Sequence, residues 1–188
     1  MLDRVADAIE LGIPELTVYA FSTENWIRPA NEVDGLLGLI ATRIALETPN
    51  LAARDVRTRF IGRRGELPAT LREAIHGAET ATAGCGGLRL FVAINYGGRA
   101  EILDAAAEFT GGGEAGFGAC LYAPEMHDPD VVIRTGGERR LSNYLLWQAA
   151  YAELVFREEL WPEFDRGCFE RCLGEYAQRA RRFGGRAR

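Results

Sequence analysis

The sequence predicts an α/β fold: a central, mostly parallel sheet with helices on both faces. Two observations carry this. Short β-rich runs alternate with longer helical runs along the chain, the order that crossovers between parallel strands require. The clearest strand candidate, Leu88 to Ile94, is nearly all apolar at its end, as a strand covered on both faces must be. With 188 residues and 47% hydrophobic content, the chain can bury a core and fits one domain over residues 1–188. It is neither disordered nor fibrous.

The elements follow in order. Val5 to Leu11 reads as a helix that stops at Gly12 and Pro14. Leu16 to Phe21 is the first strand. Asn31-x-x-Asp34 is placed to cap a helix running to about Glu47, with Leu36, Leu37, Leu39, Ile40 and Ile44 on its apolar side. Val56 to Ile61 is the second strand, ended by Gly62, and Leu67 to Ala83 a helix. After the third strand, Ala100 to Phe109 is a helix closed by Gly111-Gly112-Gly113. Val131 to Ile133 is the fourth strand. Ser142 is placed to cap a helix over Asn143 to Tyr151. Leu154 to Phe156 is a short strand, and Phe169 to Arg182 the last helix.

Composition removes several functions. Arg and Lys together number 22 against 27 acidic residues, a net charge of −5, which argues against general nucleic-acid binding. Every basic residue is Arg, which reflects a coding bias and warns against assigning a role to each. No run approaches the ~18–20 apolar residues of a spanning helix. Leu2-Asp3-Arg4-Val5 lacks the layout of a signal peptide, so a cytoplasmic protein is expected. Cys85, Cys120, Cys168 and Cys172 form no C-x-x-C pair, and only two His accompany them. They read as small apolar packing groups in a reducing compartment.

Open parallel sheets bind ligands beyond the carboxyl ends of their strands. There the sequence is polar, Gly-rich and Arg-bearing: Ser22 to Pro29, Asn95 to Arg99, and Arg134 to Asn143. In the third of these loops Arg134, Arg139 and Arg140 flank Gly136-Gly137, and Ser142 opens the expected helix. Glycines let backbone N–H groups approach a ligand, a helix N-terminus favours an anion, and Arg offers phosphate a fork. The loop reads as a phosphate or diphosphate cradle. Glu153, between aromatic and aliphatic residues, is costly to bury unpaired. It either pairs with a neighbouring Arg or holds Mg²⁺ beside a diphosphate. In the first loop, Ser22, Asn25 and Arg28 supply polar groups and Trp26 an apolar wall.

Four segments, YAFSTENWIRP, INYGGRAEI, DPDVVIRTGGERRLSNYLLWQAAYAELVF and LWPEF, resemble the cis-prenyltransferases, the undecaprenyl diphosphate synthase family, in that family's order. The similarity runs from Val5 to the terminal RRFGG. The resemblance implies an enzyme that adds isopentenyl diphosphate to an allylic prenyl diphosphate, forming a Z double bond and using Mg²⁺. It implies that Arg134, Arg140 and Ser142, with Leu141 between them, grip the isopentenyl diphosphate. Glu153 matches a Mg²⁺ ligand, and Asn25 the residue that takes or relays the proton. Ser22, Thr23, Glu24, Trp26 and Arg28 match the substrate-lining loop, Arg28 facing the allylic diphosphate. Arg182 and Gly184 match a C-terminal segment that reaches across a homodimer interface, and the lipid product implies peripheral membrane contact.

Two departures stand out. Arg139 occupies a position where many members carry His. The family also opens with a strand, a phosphate-binding loop containing Asp-Gly-Asn-Arg-Arg-Trp and a helix, whereas Met1 falls inside the next helix. The first strand and that loop, ~20 residues or more by typical element lengths, are therefore missing, and with them the Asp that holds Mg²⁺. Three expectations follow: an active enzyme whose start codon is placed too far downstream, a non-catalytic partner subunit or decayed homologue, or an irregular enzyme coupling two allylic units.

Overall fold

A computed structural model of the chain describes residues 2–179; Arg182 and Gly184 lie outside the described residues. The element order is α1 (Leu2–Glu10), β1 (Glu15–Ser22), a 3₁₀ turn (Thr23–Ile27), α2 (Ala30–Ala53), β2 (Arg57–Ile61), α3 (Ala69–Ala81), β3 (Arg89–Tyr96), α4 (Gly98–Glu108), α5 (Gly113–Gly118), β4 (Val131–Arg134), β5 (Glu153–Phe156) and α6 (Arg166–Ala177).

β3 is the spine. It pairs in parallel with β1, Leu16 opposite Leu90 and Val18 opposite Val92, and with β2, Thr58 opposite Leu90 and Phe60 opposite Val92. Successive side chains of a strand point to opposite faces. Leu90, Val92 and Ile94 accordingly join a core with Val5 of α1, Leu37 of α2, Leu71 and Ile75 of α3 and Phe169 of α6. Phe91 and Ala93 join a second core with Met126, Leu145 and Ala149. Each such large side chain, buried, contributes about 1.5–3 kcal/mol. The α/β class with parallel strands is as expected. Among the described residues the five strands form two pieces, however: β1-β3-β2 and β4-β5. In β1-β3-β2, β1 is an edge.

Three local expectations need correction. Residues 143–151 are not a helix but a series of turns, with Ser142, Asn143 and Leu145 at φ 48°, 62° and 45°. Tertiary hydrogen bonds claim this backbone: the Asn143 carbonyl accepts the Gly98 N–H at 2.7 Å. Ser142 therefore caps no helix. α2 runs past Glu47 and through Pro49 to Ala53, with no side-chain cap from Asn31; burial of Leu51 in the first core holds its last turns. α6 starts at Arg166 because the Asp165 carboxylate accepts the Cys168 N–H at 2.8 Å. Cys168 and Cys172 are buried in the first core, the packing role the sequence suggested.

Candidate active site at the carboxyl ends of the strands

The carboxyl ends of β1 and β4 frame a cavity of about 530 Å³, lined by Tyr19 to Ser22, Glu24, Asn25, Arg134, Ser142 and Asn143. Of the residues singled out in the sequence, Ser22, Glu24, Asn25, Arg134 and Ser142 meet here. Tyr19 and Asn143, not singled out as site residues, join them. The strand-end rule reached Asn143, in the loop after β4, without ranking it there; it did not reach Tyr19, which lies within β1.

The 3₁₀ turn after β1 sets the first wall. Asn25 Oδ1 accepts the Ser22 N–H at 2.9 Å, which fixes the carboxamide against the cavity. Trp26 turns away from the lining: its Nε1 donates to Asn95 Oδ1 at 2.7 Å, and its ring meets Phe21 edge-on at 5.6 Å. Asn95, buried at φ 50°, also donates from Nδ2 to the Arg63 carbonyl and to Glu66, both at 2.9 Å. One side chain thus ties the loops after β1 and β2 to the end of β3. Arg28 also lies outside the lining; its Nη1 pairs with Glu32 at 2.8 Å on the first turn of α2. Thr23 Oγ1 donates to Glu24 Oε2 at 3.2 Å.

The second wall is the loop after β4. Arg134 ends that strand, and among the described residues no carboxylate pairs with it. The expected cradle differs in two parts. The Gly136 and Gly137 N–H groups do not face a ligand: they donate to the Glu159 and Arg157 carbonyls at 2.8 and 2.9 Å. The helix N-terminus is absent, as described above. Arg140 stands outside the cavity, its side chain 63% exposed and paired with Glu138. Leu141 packs against the second core. The anion-binding capacity of the pocket thus rests on Arg134, with the Ser22 and Ser142 hydroxyls and the two carboxamides around it.

Aromatic rings form the side wall. Tyr19 stacks on Tyr144 at 4.6 Å, meets Tyr96 edge-on, and donates its hydroxyl to the Tyr96 carbonyl at 2.9 Å. Burial, then the charge of Glu24, pushes the Tyr19 phenol up to about 12, so it stays neutral. Burial works against ionisation of Glu24, yet its hydrogen bonds, led by that from Asn143, hold its carboxyl below the ordinary range. Behind this layer lies Glu101, only 1% exposed. It accepts from the Tyr96 hydroxyl, from the Tyr122 N–H at 3.1 Å and from Gln148 Nε2 at 3.1 Å.

Glu153 is not part of this cavity. It opens β5 opposite Val131, while Arg134 ends β4 opposite Phe156. That offset of three residues is about 10 Å at ~3.3 Å per residue. The Glu153 carboxylate accepts from Arg179 Nη1 at 2.9 Å. Of the two sequence readings, the structure brings it the Arg partner. Among the described residues no three acidic, His or Cys side chains gather as a cation site. Among them, too, Glu24 is the sole acid on the cavity wall, and both its oxygens already accept hydrogen bonds. As placed, these residues do not fit a Mg²⁺ ion.

A family model described as "Putative undecaprenyl diphosphate synthase" matches residues 1–184. A ditrans,polycis-undecaprenyl-diphosphate synthase ((2E,6E)-farnesyl-diphosphate specific) of Xanthomonas axonopodis is 45% identical over 195 residues, covering 97% of this chain and 76% of its own. The crystal structure of a probable undecaprenyl diphosphate synthase from Campylobacter jejuni matches with a TM-score of 0.91 at 36% identity, over 98% of this chain and 89% of the other. A lavandulyl diphosphate synthase from Lavandula x intermedia, in complex with dimethylallyl diphosphate, matches with a TM-score of 0.92 at 31% identity, over 97% and 84%.

Proposed function

Because the chain belongs to the undecaprenyl diphosphate synthase family of prenyltransferases, we propose that it elongates prenyl chains, joining isopentenyl diphosphate to an allylic prenyl diphosphate with formation of a Z double bond. The observation that carries the reading is Arg134, a guanidinium without a carboxylate partner among the described residues, at the strand-end cavity. Such a group, with hydroxyls beside it, suits the diphosphate of isopentenyl diphosphate.

In the reaction the allylic C–O bond breaks and diphosphate leaves. A new C–C bond forms from the isopentenyl double bond, and one proton departs. Arg134, Ser22 and Ser142 bind and orient a diphosphate, and holding both partners in line removes much of the entropic barrier. The Asn25 carboxamide, held by the Ser22 N–H, is assigned the departing proton; as an amide it relays rather than keeps the proton. Arg140, Leu141, Thr23, Trp26 and Arg28, substrate-binding by the sequence resemblance, lie outside the cavity lining and are assigned no contact with the diphosphate. Mg²⁺ enters on the sequence resemblance alone. Glu153 is its candidate ligand there, but with its carboxylate on Arg179 no step is drawn through the metal.

No helix among the described residues is long and apolar enough to cross a membrane. A cytoplasmic homodimer that touches the membrane through its lipid product completes the proposal. The test is incorporation of labelled isopentenyl diphosphate into solvent-extractable prenyl product, with farnesyl diphosphate as primer. Turnover by the chain alone supports the reading. Stimulation of an active homologue beyond its own turnover, with none by the chain alone, favours a partner subunit, and no turnover by the chain alone refutes elongation by it. The likeness to a lavandulyl diphosphate synthase bound to dimethylallyl diphosphate favours a second reading, the coupling of two allylic units. Product from dimethylallyl diphosphate alone is its signature.

A further inference from the structure

Three loops converge on one side chain. Asn143 Nδ2 donates to Glu24 Oε1 at 2.7 Å, in the turn after β1. Asn143 Oδ1 accepts the Arg99 N–H at 2.8 Å, and its main-chain carbonyl accepts the Gly98 N–H at 2.7 Å, both after β3. The residue itself belongs to the loop after β4. The Gly98 and Arg99 N–H groups belong to the first turn of α4, where a helix has no internal acceptors. Gly97, the residue before that helix, supplies no side-chain cap. Asn143 supplies it from another loop.

The fit is close and specific. A Cβ on Gly97 would stand 2.5 Å from Thr23 Oγ1 and 2.6 Å from Asn143 Nδ2, so a side chain there would displace both groups. Asn143 sits at φ 62°, which Asn tolerates better than other side chains with a Cβ. No other residue type matches all its demands. Asp would accept from Arg99 but set a second carboxylate against Glu24. Gly would take the backbone but lose both side-chain bonds.

We infer that Asn143 is the positioning residue of this cavity, a clamp that locks the loops after β1, β3 and β4 together before any diphosphate enters. Arg134, Ser142 and Ser22 then line one cavity without a cost of ordering on binding. The kinetic consequence rests on the prenyl-transfer reading; the clamp is a property of the ligand-free chain.

The experiment compares the whole chain with Asn143→Gly, Asn143→Asp and the double variant Asn143→Asp/Glu24→Gln. In the double variant the carboxamide introduced at position 24 can donate to the carboxylate introduced at position 143, restoring the bond in reverse. Amide hydrogen exchange is followed without ligand, and kcat and KM for isopentenyl diphosphate with it. Asn143→Gly is expected to exchange at least about tenfold faster at Arg99 and across Thr23 to Ile27. Its kcat/KM is expected to fall about ten- to a hundredfold, the scale of losing a hydrogen bond to a charged group. Asn143→Asp should lose more, and the double variant should regain at least about tenfold of that loss. Unchanged exchange in Asn143→Gly overturns the clamp. Faster exchange with unchanged kcat/KM overturns its positioning role, as does a double variant no better than Asn143→Asp. If the wild-type chain incorporates no isopentenyl diphosphate, the prenyl-transfer reading falls, and exchange still decides the clamp.

Discussion

Arg134 and Arg140 look equivalent in the sequence, yet replacing each with Ala should have unequal effects. Arg134 ends β4 at the cavity and has no carboxylate partner among the described residues. A hydrogen bond from it to a charged diphosphate contributes about 1.5–3 kcal/mol. Arg134→Ala should therefore weaken isopentenyl diphosphate binding about 10- to 150-fold. The Arg140 side chain is 63% exposed, outside the cavity, and neutralised by Glu138. A surface interaction of that kind contributes about 0–1 kcal/mol, so Arg140→Ala should cost about fivefold or less. Titration calorimetry with isopentenyl diphosphate measures both, with melting curves to show that each variant is folded. Arg134→Lys, which keeps the charge but loses the fork, should fall between Arg134→Ala and wild type. Equal losses for the two Ala variants, or a larger loss for Arg140→Ala, would refute the assignment of the diphosphate to Arg134.

Other outcomes concern stability and the framing loops. Gly62→Ala puts a Cβ 2.1 Å from the Ile94 carbonyl oxygen at φ +125°; urea unfolding should show about 2 kcal/mol of destabilisation or more, and a change under about 0.5 kcal/mol would contradict the backbone contact. Leu90→Ala empties a fully buried position of the spine strand and should cost about 2–5 kcal/mol in the same assay. Burial opposes ionisation of Glu79, but its bonds, led by that from Arg64, hold its carboxyl below the ordinary range. Its contribution is therefore complete above the unfolded carboxylate value near pH ~4.3 and lost as pH falls through the lower folded value. The stability gap between wild type and Glu79→Gln should shrink below that pH, and a gap that widens there would be wrong in sign. Trp26→Phe removes the donor to Asn95 Oδ1, and a lower melting temperature with raised KM for the allylic substrate is expected.

Much of the fold was legible because it depends on local pattern. The apolar run through Leu90 and Ile94 had to be covered on both faces, and the two cores it joins follow from strand alternation. The alternation of helix and strand required parallel pairing, and the strand-end rule located the loops of Ser22, Gly97 and Arg134. The helix proposed for residues 143–151 was not legible. Its residues have ordinary helix propensity, but the Asn143 carbonyl and carboxamide are claimed by Gly98 and Arg99, partners more than forty positions away in sequence. Propensity differences of a few tenths of a kcal/mol per residue yield to such bonds.

The sequence by itself determined the class, the parallel strands, the strand ends that hold the candidate site and, through four long motifs, the family. The first of these rest on periodicity and residue type, and the family on motif resemblance; none needs coordinates. The tertiary structure alone decided which members of each loop face the cavity. It placed Arg134 at the cavity and paired Arg28 with Glu32, Arg140 with Glu138 and Glu153 with Arg179. It also turned the Gly136 and Gly137 N–H groups to the backbone of Arg157 and Glu159. Where a charged group points depends on which opposite charge or acceptor the fold brings near it, and that partner lies elsewhere in the chain.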